Sequence, residues 1–490
     1  MRIGEQQMAR ALRSWRDTGE PLSTALAGAV REALLDGRIR AGSELPAERR
    51  LAAALGVSRG TVTAALAGLR ETGWVHTRHG SGSLVRLPPA VAERVAPLSA
   101  SGEAGSLIDL RRAVPAAPQQ PYLEAMRRAA DRAGPVLAEH GEPGPGLPEL
   151  REMIAARYSH EGTATRPEQI LVTNGTRAAL TLLAAHFRPR LTAVEIPTYV
   201  DALHVLRAAG TRLVGFRVTG DGWDLDQLES SFAAARGHLA YLVPDFHNPT
   251  GALMSPRVRR AVADLAARHQ VTVIADETLR DLDLREKPVG LLRIAGALLI
   301  GSASKSVWGG LRVGWIRARA SLVRDLQEHP LAGPLSASPM QQLVAAELLS
   351  DPKPVLELRR DELRAQRDHL CALLDGDDRW RFTRPPGGLA LWLRLSATPA
   401  DTVVRHADEH GIALVAGPRF AADATLTHYL RVPFTPPHPV LDRVAAVLGD
   451  ACSEGRGPSL GRTIIRERTT ARHTREEGLA PAGTVTEVFM

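Results

Sequence analysis

Between residues 107 and 450 the chain alternates between two hydrophobic patterns. QILVT (169–173), TAVEIP (192–197), RLVGFRV (212–218), LAYLVP (239–244), VTVIAD (271–276) and ALLIGS (297–302) are short runs with strand character. Helical patterns such as RAALTLLAAHF, VDALHVLRAAG and PRVRRAVADLAARH separate several of them. Strands whose apolar residues are continuous are buried on both faces, so the alternation predicts an α/β domain with a mainly parallel sheet covered by helices. Ahead of this region, LSTALAGAVREALLDG (22–37) has helical spacing and stops at Gly37. LPAERRLAAALGVSRGTVTAALAGLRETGWV (45–75) reads as two helices joined at Gly56-Val57, with Pro46 near the first turn of one and Ser58 as N-cap of the next. Val62, Leu66 and Leu69 then face inward, Gly73 ends the helix, and WVHTRHGSGSLV follows as a hairpin with His79 and Gly80 at its tip.

These patterns divide the chain into a first domain (1–88), a Pro-, Ala-, Ser- and Gly-rich linker (89–106), a large domain (107–450) and a polar tail without apolar periodicity (451–490), expected to be disordered. A length of 490 residues suits more than one domain, and a hydrophobic content of 44% supplies a sizeable core. No apolar run reaches membrane-spanning length, the first residues lack a signal-peptide pattern, and Cys371 and Cys452 give no disulfide framework. A reducing, bacterial cytoplasm is the expected compartment. The net charge of +7 is unevenly spread: residues 1–88 hold 13 Arg against 8 acidic residues, whereas residues 89–450 hold 42 basic against 41 acidic. The excess in the first domain points to an acidic partner there.

The helix beginning at Ser58 explains that partner. Arg59, Thr61 and Thr63 lie near its start, where small and hydrogen-bonding side chains suit base edges and phosphates in a major groove of double-stranded DNA. The full order PLSTAL, DGRIRAGSELPAERRLAAALGVSRGTV and GWVHTRHGSGSLV resembles the GntR-type winged helix over about residues 21–86. That resemblance implies DNA contacts from Arg49, Ser58, Arg59, Thr61 and Thr63, with His79 and Gly80 at the wing tip. Thr63 stands where many relatives carry arginine.

In the large domain the unusual residues follow the predicted strands, and an open parallel sheet binds ligands beyond its carboxyl strand ends. Asn174-Gly175-Thr176 opens a helix, whose free N–H groups can seat a phosphate. Tyr199 offers a ring for a flat cofactor, DFHNPTG brings Asn248, VTVIAD ends at Asp276, and ALLIGS leads through Ser302 to Lys305 and Arg312. Lysine is rare here: of 61 basic residues only Lys287, Lys305 and Lys353 are lysine. A lysine can lose its proton and condense with an aldehyde, which arginine cannot do. A carboxylate, an amide, an aromatic face, a phosphate seat, an arginine and a lysine together describe a pyridoxal 5'-phosphate site.

The order and wording of these motifs resemble the fold-type I, class I aminotransferases over about residues 107–445. The resemblance implies that Lys305 forms the Schiff base, Asp276 pairs with the pyridine nitrogen, Asn248 bonds the ring oxygen and Tyr199 stacks on the ring. It further implies that Gly175, Thr176, Ser302 and Arg312 hold the phosphate, that Arg431 in HYLRVPF grips a substrate or effector carboxylate, and that a small C-terminal α+β subdomain follows. The combined layout resembles MocR-type regulators of the GntR family. This implies a homodimeric transcription regulator that binds operator DNA and uses pyridoxal phosphate, with or without an amino compound, as a signal, in control of vitamin B6 or amino-compound metabolism. Two positions depart from the aminotransferase pattern: Thr278 and Leu279 replace a tyrosine after the aspartate, and Glu142 replaces one that reaches the phosphate across the dimer. These losses argue for a sensor. The alternatives are an active aminotransferase that carries a DNA-binding domain and a cofactor-independent regulator whose large domain only dimerises.

Overall fold

The computed structural model describes residues 3–12, 15–16, 20–78, 82–86, 88, 107–141, 144–219, 222–288 and 290–454, and everything below concerns these. The predicted linker, the tail from residue 455, the wing-tip residues His79 and Gly80, and Glu142 lie outside them.

The central sheet has eight strands in the spatial order Ile170–Thr173, Gly314–Arg317, Leu298–Ser302, Thr272–Asp276, Leu239–Leu242, Leu191–Ile196, Arg212–Thr219 and Gly222–Trp223. Six run parallel; Gly314–Arg317 and Gly222–Trp223 are antiparallel to their neighbours. The uninterrupted burial of these strands has a simple cause. Val172, Ala193, Leu242, Val273 and Leu299 enter one apolar core, while Leu171, Val194, Tyr241, Ile274 and Ile300 enter a second. Successive side chains point to opposite faces, and helices cover both. A third core belongs to the C-terminal subdomain, whose antiparallel sheet contains Trp380–Arg381, Ala390–Leu395, Tyr429–Pro433 and Val415–Ala416. Its final helix, His438–Glu454, continues past residue 450 and buries Ala451 and Cys452.

The first domain contains helices Leu22–Leu35, Glu48–Leu55 and Arg59–Glu71 and the antiparallel hairpin Val75–Arg78/Gly82–Val85. Its core also takes in Ile3, Met8, Leu12 and Trp15 from a preceding segment that includes helix Glu5–Leu12. Gly56 closes the second helix in the left-handed conformation, and Ser58 Oγ caps the third by accepting from Thr61 N at 3.0 Å.

The turn after Leu35 meets the large domain. Leu426 N donates to Leu35 O at 2.5 Å, and Arg217, buried on strand Arg212–Thr219, donates to Asp36 O. The Asp36 carboxylate, 6% exposed, pairs with Arg394 at 3.0 Å and with Arg38 at 3.3 Å. Gly37 sits here in the left-handed region (φ +66°), which disfavours other residues, and a Cβ would also press on the Arg217 guanidinium. No single described helix is long and apolar enough to cross a membrane.

Candidate functional site

One large cleft, about 1180 Å³, opens at the carboxyl ends of the parallel strands. Its walls include Gly175, Thr176, Tyr199, Asn248, Lys305, Arg312 and Arg431, seven of the positions singled out in the sequence. Asp276 lies buried at the end of its strand, within electrostatic reach of the Lys305 amine. Ser302 is also buried, but its hydroxyl donates to Val313 O at 3.0 Å and bonds Ser304 Oγ at 2.7 Å. Ser304, rather than Ser302, lines the cleft.

Lys305 Nζ donates to Ala113 O at 2.9 Å. Burial, and secondarily the charge of Arg431, pushes its pKa down to about 8, so an appreciable share of the amine is neutral near physiological pH. The Asp276 carboxylate is pushed upward by burial and held back by its hydrogen bonds. Tyr241 OH donates to Oδ2 at 2.8 Å, and Thr278 donates to Oδ1 through both its backbone N–H, at 2.9 Å, and its hydroxyl. An ionised carboxylate accepts about four hydrogen bonds, so these three leave capacity for one more donor.

One corner of the cleft is built by backbone. Helix Gly175–Phe187 begins at the cleft with Gly175 at φ +82°. Arg312, itself left-handed at φ +55°, lays its guanidinium over this helix start, donating from Nε to Asn174 Oδ1 at 3.1 Å and from Nη2 to Asn174 O at 3.0 Å. Gly314 allows the close approach: a Cβ there would be 2.7 Å from the backbone of Gly175. Exposed helix N–H groups beside a guanidinium suit a dianion. Tyr199 OH is engaged by Asp201 Oδ2 at 2.8 Å, and burial raises its pKa.

Arg431, which also lines the cleft, is 4% exposed and rests 4.9 Å above the Phe420 ring. Its Nη2 donates to Arg111 O at 2.5 Å, while its buried Nε has no hydrogen-bond partner among the described residues. Burial lowers its pKa to about 10, which still leaves it charged at neutral pH. An incompletely satisfied buried guanidinium facing a cleft suits a carboxylate. Pyridoxal phosphate therefore fits the residues present: an amine of lowered pKa, a carboxylate with spare capacity, a cationic helix start and a second unsatisfied cation.

Two contributors were not singled out in the sequence. Tyr241 could have been noticed as a phenol inside an apolar strand, since a buried hydroxyl needs a partner. The Ala113 carbonyl carries no sequence signal.

In the first domain, Arg49 and Arg59 are exposed on neighbouring helices, as are Ser58 and Thr63, with Thr61 half-buried. Ser58 and Thr61 share a hydrogen bond of 2.8 Å between their hydroxyls. Thr63 donates to Glu48 Oε2 at 2.7 Å, and Glu48 also accepts from Arg70 at 3.3 Å. Thr63 thus ties two helices of the motif together, and Arg49 and Arg59 are left as its outward cations.

Residues 108–448 match the family of class I and II aminotransferases, and residues 22–85 match the gntR family of bacterial regulatory proteins. The uncharacterized HTH-type transcriptional regulator YisV of Bacillus subtilis is 29% identical over 412 residues, covering 77% of this chain and 85% of that protein. The 2-aminoadipate transaminase of Thermus thermophilus is 30% identical over 335 residues, covering 64% of this chain and 83% of the enzyme. Among solved structures, the α-aminoadipate aminotransferase LysN of Thermus thermophilus, complexed with N-(5'-phosphopyridoxyl)-L-leucine, superposes with a TM-score of 0.67 at 26% identity. That match covers 75% of this chain and 97% of LysN.

Proposed function

Since the chain belongs to the class I and II aminotransferase family and carries a gntR-family DNA-binding segment ahead of that domain, we propose that it is a MocR-type regulator whose large domain holds pyridoxal phosphate as a sensor or coeffector. The observation that carries this reading is the cleft itself, where Lys305, Asn248, Tyr199, Gly175, Thr176, Arg312 and Arg431 meet around one space above Asp276. When bound, pyridoxal phosphate supplies an aldehyde reactive toward primary amines and an electron-withdrawing ring. Lys305 offers the neutral amine, Asp276 accepts from the ring nitrogen, and Asn248 and Tyr199 fix the ring. Gly175, Thr176 and Arg312 hold the phosphate, with Ser302 supporting Ser304 behind them. Arg431 takes the carboxylate of an amino compound.

Regulation requires that ligand bind two domain arrangements unequally. The contact at Leu35–Gly37 supplies a route. Arg431 lies on strand Tyr429–Pro433, and the segment entering that strand carries Leu426, which bonds Leu35 of the first domain. A carboxylate that shifts Arg431 bears on the same segment that holds the winged helix. The functional unit is a homodimer in the cytoplasm, and genes of vitamin B6 or amino-compound metabolism are the proposed targets.

A second reading, a working aminotransferase with a DNA-binding appendage, is favoured by the co-location of Lys305, Asp276 and Arg431 and by the enzyme relative. Against it, the Thr278 hydroxyl is committed to Asp276 and Leu279 has no donor, so no phenol serves the ring oxygen from these positions. Purified protein incubated with pyridoxal phosphate is expected to gain a visible absorbance band that Lys305→Ala loses. Wild-type protein without such a band would sink the sensor reading. Steady turnover of an amino donor with an oxo-acid acceptor would favour the enzyme.

A further inference from the structure

Glu195 puts a carboxyl group into a strand that is otherwise apolar at its core. It lies on Leu191–Ile196 between Val194 and Ile196 and is fully buried. Burying a carboxyl is costly unless its oxygens find partners, and packed apolar residues of similar volume are often as stable or more so. Here both oxygens are engaged. Trp223 Nε1 donates to Oε1 at 2.7 Å, and Val243 N donates to Oε2 at 2.8 Å. His247 Nε2 stands 3.2 Å from Oε2, in contact though not aligned for a hydrogen bond.

His247 is equally buried, at 1% exposure. Its Nδ1 lies 2.9 Å from Thr250 Oγ1, and its ring meets Trp223 edge-on at 5.9 Å. The backbone turns tightly around it: His247 N donates to Ala252 O at 2.8 Å, and Gly251 N donates to His247 O at 2.6 Å. Phe246, immediately before, is buried in the left-handed region at φ +49°, an unfavourable state for a bulky residue that its surroundings must enforce. Neither Glu195 nor His247 lines the cleft, but the next residue, Asn248, does. The loop that carries Asn248 is thus pinned by a buried polar pair that makes no cofactor contact of its own.

We infer that Glu195 and His247 are positioning residues: by fixing the His247 ring against the strand that leads to Tyr199, they hold the Asn248 amide at the cofactor's ring oxygen. This rests on the reading of the cleft as a pyridoxal phosphate site and adds two residues that act through Asn248. An amide donating to the ring oxygen favours the anionic form of that oxygen, so it keeps the pH at which the cofactor band titrates low. A change that slackens the loop 245–251 raises that pH.

The test follows the absorbance of cofactor-loaded full-length protein against pH in wild type, His247→Leu, His247→Gln and Thr250→Val, and again with Asn248→Ala added to each. Glu195 is left in place because it also reaches Asp276 electrostatically. His247→Leu is expected to raise the midpoint by about one pH unit, the scale of one hydrogen bond to a charged group. Thr250→Val, which frees His247 Nδ1, should raise it by less. His247→Gln brings an amide nitrogen near the former place of Nε2 and should restore most of the wild-type value. With Asn248→Ala present, none of these substitutions should move the midpoint further, because the pair acts through that amide. Wild-type midpoints in both His247→Leu and Thr250→Val, or an equal rise with Asn248 already replaced, would overturn the inference. Should His247→Leu fail to fold, as read by thermal melting, Thr250→Val decides alone. Failure of the underlying reading looks different, because wild type would then show no cofactor band at all.

Discussion

Cofactor capture by the apo protein should depend on pH in a way set by the surroundings of Lys305. The neutral amine is the nucleophile, so the capture rate follows the deprotonated fraction. Burial is the main cause of the lowered pKa of about 8, and the Arg431 charge is the second. At pH about 7, a pKa of about 8 leaves roughly one amine in ten neutral, against roughly one in three thousand for an unperturbed lysine, about a 300-fold difference. Rapid-mixing absorbance should therefore show a rate that climbs about tenfold per pH unit below the pKa and levels off above it. Arg431→Leu removes only the second cause. The break in the curve should move upward yet stay below that of free lysine. A wild-type rate still climbing near pH 10, or one flat across the range from about 6 to 9, would refute the assigned environment.

Arg59→Ala should weaken binding to any duplex and reduce the salt slope by about one; unchanged binding would rule out this recognition helix. Gly37→Ala places a methyl group against Arg217 and forces a left-handed alanine. The left-handed alanine costs about 1–2 kcal/mol and a lost hydrogen bond to a charged group about 1.5–3 kcal/mol, roughly 2.5–5 kcal/mol together, of which the second part acts on domain docking. Calorimetry should then resolve a separate transition for the winged helix. A single transition at the wild-type temperature would count against the docking at Leu35–Gly37.

The six main strands were readable because burial on both sheet faces leaves an uninterrupted apolar run, as in LAYLVP and ALLIGS. The antiparallel strand Gly314–Arg317 was hidden inside a glycine-rich motif. Its one glycine, Gly314, serves close approach to Gly175 and so disguises its strand character. Helix Glu5–Leu12 was also missed, since its single turn-to-turn pair of buried residues, Met8 and Leu12, is too short to show a period. For the cleft, chemistry outweighed pattern. A lysine in an arginine-using chain, an aspartate ending an apolar strand and a glycine opening a helix each break a local rule. Contacts with backbone carbonyls, such as Lys305 with Ala113 and Arg431 with Arg111, depend on tertiary placement. The same holds for Asp36, which reads as an ordinary helix-end acid and becomes a buried link between domains.

The central claim, that cofactor held on Lys305 alters DNA affinity, is tested most directly by capturing fragments of the source genome with wild-type protein and with Lys305→Ala, each with and without pyridoxal phosphate. Fluorescence anisotropy on a recovered fragment then gives the affinities. The account predicts a cofactor-dependent change in wild type that is absent in Lys305→Ala. Equal affinity with and without cofactor in wild type, or the same change in both proteins, would contradict it.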